Sequence, residues 1–413
     1  MRTLAQECYC IYVRDFRYRD NNGNTRPGDR AFRYGLISSD GKVPSYAEKD
    51  LIFAIREGKV DVKNLYITEN ETIEVKNVNK QNDTLSINKA AKLRLMGFTV
   101  SDIETPCRHT IYLATKETRN ILIIPDDVLN IGNFKESSLS SIKGSLEIIG
   151  GHGLLSTTDM LMDVRLNTLN LVGFTPVNVI CADGMFKSAH INEIILGENE
   201  SNRFSKLLST SEMFAFAELP AIDFRRLLGN RLIDARGMFM DAKIFGTNSI
   251  IDLRGMDMSC VDSIDTMFNR AEVNKIILDD LHFPKVEGID RAFSSLTVET
   301  LSLRNTKFDS LRFTNLLFSA SEIHELNIEN IDFSGLENCD YLFYASDIEM
   351  VNAKGFKLST VPTLKEAFSV KRLVLSTDKE NSEVIDLFRR NGFIVCNMED
   401  DSDNIVLKRE GWS

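Results

Sequence analysis

The chain lacks any apolar run near the roughly 18 residues that a bilayer-spanning helix needs. Its opening, MRTLAQECYCIYV, carries too short an apolar stretch for a secretory signal and no small-residue cleavage site. Cytoplasmic residence, with no membrane partner, is the expectation. Histidine is scarce: His109, His152, His190, His282 and His324 show no H-x-x-x-H or H-x-H spacing, so they suggest no metal site. Seven cysteines give no disulfide framework. Cys181, Cys260 and Cys339 stand 79 apart but fall 5, 8 and 4 residues before the next repeat phenylalanine described below, so they hold no common position. Cys8 and Cys10 form a lone C-x-C. Buried reduced thiols are expected. Gly150-Gly151-His152-Gly153 is followed by no phosphate-loop lysine and no G-x-G-x-x-G, so it reads as a tight bend. Without a positioned nucleophile and base, neither catalysis nor a cofactor is expected.

Charge is unevenly spread. The net value is −11, yet residues 1–60 hold 11 Lys and Arg against 8 Asp and Glu, which leaves −14 on residues 61–413. The long part repels nucleic acid on average. The short part carries Arg14, Phe16, Arg17, Tyr18, Arg19, Arg26, Arg30, Phe32, Arg33 and Tyr34, a mixture that can stack bases and neutralise phosphates. Asp15, Asp20 and Asp29 halve that charge, and Arg17-Tyr18-Arg19 has the alternation of an ordinary solvent-facing strand. Nucleic acid or nucleoprotein contact through this stretch therefore ranks behind a protein partner.

What the chain does have is a beat. Phe268, Phe293, Phe318, Phe343 and Phe368 are each 25 residues apart, and Phe186, Phe214 and Phe239 continue the series upstream with gaps of 28, 25 and 29. Leu161 stands 25 before Phe186. A second landmark keeps phase with the first: two apolar residues flanking a third, 8 and 10 after the anchor, as in Leu169/Leu171, Ile194/Leu196, Ile276/Leu278, Leu301/Leu303 and Leu326/Ile328. Ile251/Leu253 comes 12 and 14 after Phe239, which implies a four-residue insertion around 245–248. A fixed period in this range is the signature of a solenoid. The apolar pairs read as short parallel strands, and the anchor pieces (Thr266-Met267-Phe268, Tyr341-Leu342-Phe343) as single helical turns closing the other side. Asp279, Asp280, Asn305 and Asn330 suit turns at the strand exits.

Leu301-Ser302-Leu303, Thr306-Lys307-Phe308 and Leu317-Phe318-Ser319-Ala320, with Met-Phe at 185–186, 213–214, 238–239 and 267–268, resemble the 25-residue leucine-rich repeat of BspA-like bacterial proteins. The resemblance covers about 145–376 and implies an α/β leucine-rich-repeat solenoid built on a parallel sheet, with ligand binding in place of catalysis. Leu51 to Gly58, followed by Val62-Lys63-Asn64-Leu65, looks like a small α+β module of Firmicutes mobile-element and phage proteins. Three domains follow: a small α+β domain at 1–110, the solenoid at 111–376, and a helix–strand cap at 377–413. In the first, Tyr34–Ile37 and Val62–Thr68 read as strands, Ser45–Ile55 as a capped helix and Asn88–Met96 as a second helix ended by Gly97. In the last, 379–391 reads as a helix before two strands.

The best candidate for recognition is the solvent-facing row between and just after the core pairs: Asp223, Arg225, Asp252, Arg254, Arg304, Asn327 and Lys354. The expected role is non-enzymatic protein recognition. An alternative is a phage or mobile-element inhibitor that blocks a host nucleoprotein or defence nuclease by acidic mimicry or through the basic arm.

Overall fold

The computed structural model describes side chains over 91–103 and 110–357, interrupted at 127, 129–130, 132–138, 140, 200–202, 229–231 and 339–340, and backbone strands alone within 10–77, at 104, at 358 and within 372–409. Its dominant element is a 16-stranded sheet. From Arg119–Ile124 to Arg372–Ser376 the neighbouring strands run parallel. The apolar landmark sets the register: Ile276, Leu301, Leu326 and Val351 lie directly abreast in successive coils. At the insertion, Lys243 pairs with Glu272 and Ile250 with Lys275, so the chain between Phe245 and Ile250 leaves the sheet and rejoins it in register.

Each coil winds around one continuous apolar core. The anchors from Leu161 to Phe343 are all buried, and the six ring pairs from Phe186 to Phe343 stack with centroids 5.0–5.6 Å apart and planes within 16°. A second column of rings (Phe283, Phe308, Phe333, Phe356) fills the opposite part of the same coils. Adjacent strands in a sheet are about 4.8 Å apart, less than the spacing of the anchor rings, so stacking the two columns favours a curve with the sheet on its inner side.

The anchor pieces are not helical turns. In the coil of Phe268, the N–H groups of Thr266, Phe268 and Arg270 donate across to the carbonyls of Asp290, Ala292 and Ser294 in the next coil, at 2.8–2.9 Å. The alternate N–H groups of Met267, Asn269 and Ala271 close three-residue turns on Ile264, Thr266 and Phe268. An α-helix would need all of them for its own i−4 carbonyls. Overlapping turns leave half free to tie coil to coil, which satisfies the backbone without a helix. The geometry requires left-handed residues two before and two after the anchor, such as Thr266 and Arg270 at φ 54° and 58°. Gly184 and Gly237 occupy the first of these positions in their coils. A Cβ on Gly184 would stand 2.3 Å from Asp159 Oδ1, so glycine is needed there for space as well as for φ.

The sheet extends upstream of its first parallel strand. Thr99–Glu104 and Thr110–Lys116 pair antiparallel with each other and onto Arg119–Ile124. At the other end, Asn404–Arg409 pairs antiparallel with Arg372–Ser376 and with Phe393–Asn397. A single helical turn at 91–95 ends at Gly97, φ 83°, and sets Leu93 and Phe98 against Ala114, Ile121 and Ile123 on the sheet face away from the main core. Farther upstream, Ser45–Ala47, Arg33–Ile37, Cys10–Val13, Thr72–Asn77 and Lys63–Ile67 form a five-stranded antiparallel sheet in that order. Ser45 thus opens a strand and caps no helix, because its backbone joins the ladder with Gly35. The rest of that expected helix, 88–90, Phe368, the helix at 379–391 and the turn at 399–403 lie outside the described residues.

Candidate recognition face

Strand exits carry a ladder of side-chain turns. Asn170, Asp223, Asp252, Asn327 and Asn352 each accept the N–H two residues on, from Val172, Arg225, Arg254, Glu329 and Lys354, at 2.9–3.3 Å. Where Ile277 and Ser302 occupy the row, Asp279 takes over and accepts from Arg304 N at 3.0 Å and Ser302 Oγ at 2.5 Å. The coils of Asp279 and Arg304 then turn sharply without a glycine, whereas Gly255 and Gly355 take the left-handed position in their own coils at φ 78° and 66°. One step farther, Asp280, Asn305 and Asn330 sit at φ 57–61° and pass amide hydrogen bonds from coil to coil, 2.8 and 2.7 Å long.

All the candidate residues of the row are solvent-facing or half-buried, but its arginines do not form a basic stripe. Arg225 Nε returns to Asp223 Oδ1 at 3.0 Å, and Arg254 grips Asp252 through Nε at 3.0 Å and Nη2 at 2.7 Å. Arg304 lies 3.8 Å from Asp279. The hydrogen bonds from Arg254 hold the Asp252 carboxyl below its ordinary range, and the bond from Asp223 holds Arg225 above its own. The exit row is close to neutral.

Strand entries are different. Four and six residues after the anchor stand Glu272 and Asn274, Thr297 and Glu299, Glu322 and His324, Asp347 and Glu349, lining a cavity of about 510 Å³ on the sheet surface. Lys243 pairs with Glu272 at 2.9 Å and His324 with Glu349 at 2.8 Å. Glu299, Glu322 and Asp347 have no cationic partner among the described residues. Lys243, Ile244, Phe245 and Gly246 line one end of the groove, where the inserted chain departs at Gly246, φ 119°. Our sequence reading of the row centred on the apolar pairs and missed these carboxylates, although aligning the repeats on the anchors four and six residues back would have shown them.

A polar seam also runs just ahead of the anchor turns. Asp183 accepts from Ser209 Oγ and Ser211 N, Asp234 from Arg236, and Asp265 from Ser263 Oγ and Asp290 N, both at 3.0 Å. Asp290 accepts from Asn315 Nδ2 at 3.1 Å. Burial pushes the Asp265 carboxyl up to about 6, and it pushes Lys206 down to about 8, where Nζ meets Asn178 Oδ1 at 2.6 Å. Cys181 and Cys260 are buried thiols, and Cys181 Sγ lies 3.3 Å from Thr158 Oγ1. Among the described residues no group of three or more His, Cys, Asp or Glu is placed to hold a metal.

In the basic stretch, Arg17–Arg19 and Thr25–Pro27 pair as a hairpin carrying Arg17, Arg19 and Arg26, while Arg33 lies on Arg33–Ile37 of the five-stranded sheet. Arg14 and Arg30 lie outside the described residues. Among the described residues no helix is long and apolar enough to cross a membrane. Comparison of the chain with protein-family models, with curated proteins and with solved structures finds no match.

Proposed function

We propose that the chain is a non-enzymatic recognition solenoid that binds another macromolecule, a protein in the first instance, through the solvent-facing side of its parallel sheet. One observation carries this reading: on a sheet whose other face is committed to the core, the strand-entry rows form a groove with carboxylates that no cation among the described residues neutralises. Monomeric surfaces usually pair or disperse such charge. The apolar-x-apolar strands, the asparagine ladder and the anchor column support the finer identification as a leucine-rich repeat of the BspA-like kind. The antiparallel strands at both ends of the sheet support a capping role, since a stack otherwise ends on an unpaired edge.

The test is affinity capture with mass spectrometry, with and without nuclease, comparing wild type with Arg225→Glu/Arg254→Glu/Arg304→Glu and with Glu299→Lys/Glu322→Lys/Asp347→Lys. A partner lost by either reversal, with the melting temperature held, supports recognition by this face. Capture unchanged in both rejects it. The same row of carboxylates also favours the second reading, an inhibitor that displaces nucleic acid from a basic host protein. Under that reading single-stranded DNA or RNA competes with the captured partner.

A further inference from the structure

The proposed recognition function leaves the partner's chemistry open, and the groove narrows it. We propose that the strand-entry groove docks a basic amphipathic α-helix of a partner protein, lying along the solenoid axis across the coils of Phe268, Phe293, Phe318 and Phe343. This proposal rests on the recognition reading above and adds to it.

Three features point to that occupant. First, charge: Glu272, Glu299, Glu322, Asp347 and Glu349 line the groove, and Glu299, Glu322 and Asp347 have no cationic partner among the described residues. Second, spacing: adjacent coils stand about 4.8 Å apart at the sheet, so Glu272, Glu322 and Asp347, abreast in one row with Thr297, stand at about 0, 9.6 and 14.4 Å along the axis, and Glu299 stands at about 4.8 Å but two residues, about 6.6 Å, farther along its strand. A helix rises about 1.5 Å per residue, so Lys or Arg at i, i+3, i+7 and i+10 recur at about 4.5, 10.5 and 15 Å, on one face. The axial mismatch stays within about 1 Å, and the offset of Glu299 along its strand is of the order of the length of a lysine side chain. An extended segment rises about 3.3 Å per residue and turns alternate side chains away, so it places a same-face residue only every 6.6 Å or so and loses step with the coils. Third, shape: the groove is closed at one end by the inserted chain at Phe245 and Gly246, where half-buried Phe245 offers an apolar stop for the helix end. The span of the four coils, about 14 Å between outer carboxylates, corresponds to about three helical turns.

The experiment uses the full chain and three fluorescent peptides of equal length and net charge. One is a helix-stabilised Ala-rich peptide with Lys at i, i+3, i+7 and i+10. The second has the same lysines spread around the helix. The third keeps the first spacing but carries a central proline. Anisotropy titrations at low and at moderate salt read the affinity. The expected result is at least ten-fold tighter binding of the first peptide than of the other two, weakened by salt. Glu299→Gln/Glu322→Gln/Asp347→Asn should lower that affinity ten-fold or more while the melting temperature stays within a few degrees. Equal binding of all three peptides would overturn the helix and leave groove recognition intact, provided the variant still loses affinity. No binding of the first peptide, or binding that the variant leaves unchanged, would overturn the groove as the docking place.

Discussion

Asp265 shows what a single buried carboxyl does in a stacked fold. It is faced by Asp290 from the next coil, by Arg236 from the preceding one and by the Ser263 hydroxyl, and burial is the largest influence on it. Its folded value of about 6 lies above the ordinary 3.8, so the protonated form is the one the fold prefers. The stabilisation is therefore fully present below about pH 4 and is lost as pH rises through 6. Two units correspond to at most about 3 kcal/mol. Asp265→Asn should accordingly be more stable than wild type at pH 7.5, and the two should converge near pH 4. Urea unfolding at both values checks this, and a constant difference across the range would show that Asp265 does not titrate against the fold. Little of this was legible in the sequence. The serine or aspartate five residues before the anchor (Ser156, Ser209, Asp234, Ser263) recurs, but nothing in its identity says whether it faces water or its neighbour's carboxyl.

At the scale of the element, the repeat strands and the anchor turns behave differently. The strand register was readable because a period of two with one face buried admits only one alignment, and Ile251, displaced by the insertion, still lands abreast of Ile276. The anchor pieces are not helical, in keeping with the middling helix propensity of Thr, Tyr and Phe. Left-handed φ at bulky residues such as Phe216 and Arg291 is imposed by the neighbouring coil, which takes up their N–H groups at Met240 and Asn315. The rings at the centre of these turns carry much of the packing. Phe293→Ala removes one ring from between Phe268 and Phe318 and should cost about 3–5 kcal/mol in denaturant unfolding. A cost under 1 kcal/mol would mean the column closes over the gap.

At the scale of the molecule, stability is nearly a sum over coils and their contacts, because each coil touches mainly the next. Deleting 294–318 removes one full period and brings Phe293 into register with Phe343, so the shortened chain should fold cooperatively with a modestly lower melting temperature. Deleting 294–306, half a period, removes the Thr297–Ser302 strand from its coil and interrupts the stack there, so the coils on either side should lose their cooperative coupling and melt at a much lower temperature. Circular dichroism and thermal melts distinguish the two. Loss of structure in both would show that coils beyond nearest neighbours matter. The groove belongs to this scale as well: Glu272, Glu299, Glu322 and Asp347 are far apart in sequence and share a surface only because their coils stack in phase.

The sequence alone determined the solenoid, its period, its insertion near Phe245 and the strand that each coil contributes. These follow from where apolar side chains recur, and burial of apolar surface is a property that a one-dimensional pattern can express. Only the tertiary structure decided that the anchors close in overlapping turns, that Arg225, Arg254 and Arg304 are answered by their own aspartates, and that the uncompensated charge lies at the strand entries. Each of these depends on which polar groups meet across a coil boundary, and that is fixed by hydrogen-bond geometry between residues some 25 apart, not by the identity of any one of them.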